Sequence, residues 1–269
     1  MSNTTRSPRV VDVRIGARAL DGQLGLPPAA TGLVIFAHGS GSSRTSPRNR
    51  AVARALNARG LATLLFDLLA VDEAADRANV FDIELLGDRV VEAAEWARTS
   101  PEVSHLRLGL FGASTGAAAA LVAAARLGPD IGAVVSRGGR PDLAGSSLAR
   151  VQCPTLLIVG GADYGVIELN EAAFAKLRCE KRLEVVSGAT HLFEEPGAMD
   201  RVVELAGAWL EGHLRGSTPK VPSGVNSTWS CPVLIAHDMA ASLWSDRVRR
   251  KRGTPVSWGA RVSGRAPSS

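Results

Sequence analysis

Apolar and polar residues alternate along Val10, Val11, Asp12, Val13, Arg14 and Ile15, the period-two pattern of a half-buried strand. Gly16 then turns the chain, and a second short strand is expected near 19–24, before Pro27 and Pro28 break it. The pattern changes at Leu33. Residues 33–37 are continuously apolar and run into a loop of His38, Gly39, Ser40, Gly41, Ser42 and Ser43. A short apolar run bounded by Gly and Ser reads as a strand buried on both faces. Similar runs occur at 61–66, 106–111, 133–135, 154–159 and 183–186. Helical spacing fills the gaps between them. Ser46 and Pro47 form a helix-start signal, and Gly60 is the stop. After a polar connection, 81–98 carries Ile83, Leu86, Val90, Ala94 and Ala97 on one face. An Ala-rich segment reaches Leu127, and 166–177 and 198–214 are also helical. This alternation predicts an α/β domain with a mainly parallel sheet and helices on both faces. The first two strands, tightly connected, are expected as an antiparallel edge. The stretch 137–153 is short, so little or no cap is expected over the carboxyl edge of the sheet.

Composition divides the chain in two. Residues 215–269 hold 9 Lys and Arg against 2 Asp and Glu, whereas 1–214 hold 22 against 24. The net charge of +5 therefore comes from the tail, and the body is nearly neutral. A nucleic-acid function for the body loses its support on that ground. The tail is rich in Ser, Gly, Pro and Arg and is read as a separate, disordered segment beyond a boundary near 215. Cys153, Cys179 and Cys231 fit neither a disulfide framework nor a zinc pattern, and reduced thiols suggest a cytoplasmic protein. No signal peptide, membrane span or metal-ligand spacing is read from the sequence, no cofactor is expected, and the oligomeric state is left open.

The chemistry concentrates after strands. Gly112-x-Ser114-x-Gly116 directly follows one buried run and opens the Ala-rich helix. Such a tight strand-to-helix turn exposes the serine hydroxyl at the carboxyl end of the strand, and small flanking residues relieve the crowding. A serine needs a base, and a histidine base needs a carboxylate to fix its tautomer. His191 follows the last strand and Asp163 follows the preceding long one, giving the order Ser114, Asp163, His191. Asp67, Asp72, Asp142 and Glu168 compete with Asp163, while His105, His213 and His237 are poorer bases and His38 reads as a structural loop residue. Backbone N–H groups for the tetrahedral oxygen are expected from Thr115 and from the 38–40 loop, Ser40 first and Gly39 second.

These residues resemble the α/β-hydrolase superfamily, and within it the dienelactone-hydrolase-like branch. The similarity is carried by VIFAHGSGSS (34–43), LLFDLL (64–69), RANVFDIELLGDR (77–89), LGLFGASTGAAAA (108–120), LLIVGGADYGVIELN (156–170) and SGATHLFEEPGAM (187–199), over about residues 10–214. It implies an eight-stranded α/β-hydrolase fold that acts on ester-type bonds, with Ser114, Asp163 and His191 as nucleophile, acid and base. Dienelactone hydrolases use cysteine as nucleophile, so serine here points to a general hydrolase of carboxylic ester or lactone bonds in small soluble substrates. Arg44, Arg77, Arg137 and Arg140 lie in loops at the expected carboxyl edge, where a pair such as Arg137 and Arg140 would hold a substrate carboxylate. Two rival readings are a catalytically idle fold serving as a binding module, and nucleic-acid binding through the basic tail.

Overall fold

The computed structural model describes residues 8–215, in which eight strands and seven α-helices alternate. The boundary and the basic tail proposed beyond 215 lie outside the described residues. Strand β1 (Arg9–Ile15) pairs antiparallel with β2 (Leu20–Leu26), and β2 pairs antiparallel with β4 (Ala62–Phe66). Strands β3 (Leu33–Ala37), β4, β5 (Leu108–Ala113), β6 (Ile131–Arg137), β7 (Thr155–Gly160) and β8 (Lys181–Val186) are parallel, and the sheet order is β1-β2-β4-β3-β5-β6-β7-β8. The hydropathy pattern predicts the mainly parallel sheet with its antiparallel edge, and the resemblance implies the eight-stranded α/β-hydrolase arrangement found here. The continuous apolar runs are the strands buried along their whole length, namely β3 to β7, while β1 keeps one exposed face.

Two apolar cores form, one on each face of the sheet. Helices α1 (Pro47–Ala58) and α7 (Ala198–Leu214) cover one face with Val52, Leu56, Val202 and Leu210. Helices α4 (Ile83–Thr99), α5 (Thr115–Leu127) and α6 (Val166–Lys176) cover the other. Helix α5 is buried from Thr115 to Ala124, and its run of alanines lets α4 approach closely. Phe36 and Phe111 stack beneath the carboxyl edge, ring centroids 4.8 Å apart.

Two details depart from the sequence reading. The polar connection after β4 contains two short helices, α2 (Val71–Ala74) and α3 (Arg77–Phe81). Neither buries a residue, so no apolar period marks them. They are held by caps: the Glu73 carboxylate accepts from the Ala70 N–H, and Asp76 accepts from the Ala78 N–H. Asp82 then caps α4, which starts two residues later than its apolar pattern suggests. The stretch 137–153 forms a 3₁₀ segment, Pro141–Arg150, that packs on α5 and α6 and builds no lid. Among the described residues no helix is long and apolar enough to cross a membrane.

Candidate active site

Strand register brings the loops together. Ala37 pairs with Gly112, Gly112 with Ser136, Arg137 with Ile158 and Gly160 with Val186, so five parallel strands end on one edge. Open α/β sheets bind ligands at that carboxyl edge.

Ser114 sits between β5 and α5 with φ +52° and ψ −125°, a conformation that non-glycine residues rarely hold. Its neighbours explain how the turn survives. A Cβ on Gly112 would lie 2.4 Å from the Ala117 Cα, and one on Gly116 only 2.2 Å from the Ala37 carbonyl oxygen. Both glycines are therefore required for backbone to pass backbone. The Ser114 carbonyl accepts from the Ala117 and Arg140 N–H groups, which locks the turn.

His191 Nε2 lies 3.3 Å from Ser114 Oγ, and His191 Nδ1 lies 2.8 Å from Asp163 Oδ2. The carboxylate at Nδ1 fixes the proton there and leaves Nε2 as the acceptor facing the serine. The loops carrying the pair are laced together: the Gly161 N–H donates to the Val186 carbonyl and the Ala162 N–H to the Ala189 carbonyl. Next to His191, both the N–H and the hydroxyl of Thr190 donate to Glu195 Oε1, at 3.1 and 2.5 Å. Those bonds, the Thr190 hydroxyl first, hold the Glu195 carboxyl below its usual pKa. Three of the four rival carboxylates are paired with arginines. Asp67 pairs with Arg44, Asp142 with Arg140 and Asp72 with Arg18.

The loop after β3 meets the N-terminus of α5. The Ser40 N–H donates to Thr115 Oγ1 at 2.9 Å, so the amide that the sequence reading favoured for the oxyanion already has an acceptor. The Gly39 and Thr115 amides have no acceptor among the described residues. Gly39 presses on Ser114: a Cβ there would lie 2.9 Å from Ser114 Cβ. His38 supports this loop from beneath. Its Nε2 accepts from the Leu68 N–H, so the proton sits on Nδ1, which donates to the Gly39 carbonyl at 3.0 Å. Burial pushes the His38 pKa below 6.5, against the Gly39 carbonyl and Asp67.

The four loop arginines separate. Arg44 is bonded to Asp67 and faces Asp21 as well, and Arg140 makes a bidentate pair with Asp142 at 2.9 and 2.8 Å. Arg77 is exposed on α3, its guanidinium 5.6 Å from the Phe81 ring centre. Arg137 is different. It is 7% exposed, donates only to Asn49 Oδ1 at 3.3 Å, lies over Phe193, and has no carboxylate partner among the described residues. Burial, and then the nearby Arg48, lower its pKa to about 10, so it stays charged at neutral pH. It lines a cavity of about 240 Å³ together with Ser114, His191, Arg48 and Asn49. Sequence reasoning missed Asn49, Glu195 and the side chain of Thr115, whose partners are distant in the chain or lie in an ordinary polar loop. Cys153 is buried and its thiol is pushed up to about 12 by that burial, which leaves it a small apolar residue.

Comparison with known proteins agrees with this fold. Residues 20–210 match the dienelactone hydrolase family. A dienelactone hydrolase from Anabaena variabilis is 53% identical, with a TM-score of 0.75, covering 78% of this chain and all of its own. An esterase domain from Rhodothermus marinus shares the fold at 20% identity and a TM-score of 0.61, over 77% of this chain and 99% of its own. Proteins from two strains of Mycobacterium tuberculosis, provisionally named phosphoribosyl transferase, are 56% identical over 209 residues. That match takes in 78% of this chain but 47% of theirs, so the chain spans about half the length of these curated relatives.

Proposed function

The chain belongs to the dienelactone hydrolase family, a hydrolase family of the α/β-hydrolase fold, and from that premise we propose that it is a serine esterase that cleaves carboxylic ester or lactone bonds through Ser114, His191 and Asp163. One observation carries the proposal: a continuous bonding path of 3.3 and 2.8 Å from a strained serine through an imidazole to a carboxylate.

The steps follow from that path. His191 Nε2 takes the Ser114 proton as Oγ attacks the carbonyl carbon, and Asp163 stabilises the imidazolium that forms. The carbonyl electrons move onto oxygen, at the positive end of α5. The Thr115 amide is one donor to that oxygen and the Gly39 amide the other, because the Ser40 amide is held by Thr115 Oγ1. Losing one such donor costs roughly 3–4 kcal/mol in enzymes of this kind. When the C–O bond breaks, His191 returns its proton to the leaving alkoxide. Water, deprotonated by the same histidine, then releases the acyl group from Ser114.

The transferase name of the longer curated relatives does not describe this segment in our reading, because residues 20–210 match a hydrolase family and the chain spans about half of those relatives' length. Turnover of 4-nitrophenyl acetate is the test. The parent should hydrolyse it and Ser114→Ala should not. A parent without turnover on any ester would return the fold to the role of a binding module.

A further inference from the structure

The loop of Gly39, Ser40 and Ser42 is a wall between two spaces of opposite character, since all three residues line both. On one side is the cavity with Ser114, His191 and the unpartnered Arg137. On the other is a chamber of about 490 Å³ walled by Leu68, Leu69, Ala74, Ala75, Val80 and Leu86. Its rim carries a bare apolar side chain, Val71, which is 92% exposed. Neither Arg137 nor the chamber is used by the bond-breaking step.

We infer that the substrate is an apolar acyl ester of an alcohol that carries an anionic group, with the acyl part in the chamber beneath α2 and α3 and the anion on Arg137. This rests on the esterase reading above. Each half has its own support. A buried cation without a counter-ion is unfavourable unless a ligand supplies one. Arg137 has an unsatisfied Nε and no carboxylate among the described residues, whereas the other cation in the cavity, Arg48, is already bonded to Glu194. A guanidinium in that state suits a carboxylate or a phosphate, which share the planar or tripodal oxygens it binds best. The chamber offers no charge to a ligand beyond Asp67, which Arg44 already pairs.

Proton transfer decides which half goes where. The leaving oxygen must receive its proton from His191 Nε2. His191 lines the cavity with Arg137 and does not line the chamber. The alcohol therefore departs on the Arg137 side, and the acyl chain extends past Ser40 into the apolar space.

The test measures kcat/KM for 4-carboxyphenyl, 4-phosphonophenyl and neutral 4-carbamoylphenyl esters of acetate, butyrate and octanoate. The two anionic leaving groups separate carboxylate from phosphate as the source. One of them should be preferred over the neutral ester by about tenfold or more, the range of a hydrogen bond to a charged group. Octanoate should be preferred over acetate. Arg137→Met should collapse the anion preference toward unity without shifting the preferred acyl length. Ala75→Phe should shift that length toward acetate while the anion preference stays. Product inhibition of the parent gives the same answer without a variant: 4-hydroxybenzoate or 4-hydroxyphenylphosphonate should inhibit far better than 4-hydroxybenzamide. The inference is overturned by no anion preference in the parent, by a preference that survives Arg137→Met, or by an acyl profile unmoved in Ala75→Phe. It is also overturned if the anion is preferred only on the acyl side, as mono-4-nitrophenyl glutarate over 4-nitrophenyl butyrate. Failure of the esterase reading looks different, because Ser114→Ala would then match the parent on every ester.

Discussion

The two spaces beside the 39–43 loop are built from different material. The cavity over Ser114 holds the proposed nucleophile and base and two arginines, each fixed by named hydrogen bonds or by burial. The chamber beneath α2 and α3 holds mostly Leu, Val and Ala side chains, and its outer wall rests on two helices of four and five residues that bury nothing. The difference separates chemistry from selection. Groups that move protons must be held to a fraction of an ångström, so they sit at the ends of buried strands. An apolar wall only has to exclude water and limit size, so a lightly held segment suffices.

Substitutions around the cavity should therefore act on kcat, and the deepest losses should come from the bonded path itself. Ser114→Ala and Asp163→Asn are each expected to lower kcat by about 10⁴-fold or more in steady-state ester hydrolysis, with both variants still folded. A residual rate close to the parent would break the distinction between the two spaces. A smaller loss tests the junction between them. Thr115→Val removes the hydroxyl that holds the Ser40 amide, and kcat should fall by about tenfold, with Thr115→Ser restoring most of it.

The sequence exposed the strands and the long helices because each is buried on a face that sets a period. It also exposed Ser114, Asp163 and His191, because each lies in the loop that opens at the carboxyl end of a strand. What stayed hidden depends on encounters across the fold. Arg137 and Arg140 look equivalent along the chain, yet Asp142 lies two residues from Arg140 and neutralises it, while β6 carries Arg137 into the interior without an acid. Ser40 and Thr115 are 75 residues apart, so their bond, on which the proposed role of the Gly39 amide rests, has no local signal. Helices α2 and α3 were invisible because only caps define them.

Two weaker effects sharpen the contrast further. Glu195 touches neither serine nor base but anchors Thr190 beside His191. Glu195→Gln should reduce kcat by about two- to fivefold with KM little changed, and a change confined to KM would count against positioning. The smallest effect concerns His38. Its folded pKa lies below the 6.5 it regains on unfolding, so the unfolded chain binds the proton more readily. Its contribution to stability is complete above about pH 6.5 and is lost as pH falls toward the folded value. The melting temperature of the parent should drop more between about pH 7 and about pH 5 than that of His38→Gln, as followed by circular dichroism. Parallel profiles would show that His38 does not titrate on unfolding.

The reactive character of Ser114 is tested most directly by covalent labelling. A fluorophosphonate probe should modify the folded protein once, the adduct should map by mass spectrometry to the peptide containing Ser114, and both Ser114→Ala and prior heat unfolding should abolish it. Modification of another residue, or a parent protein that stays unlabelled under conditions that label a known serine esterase, would contradict the triad.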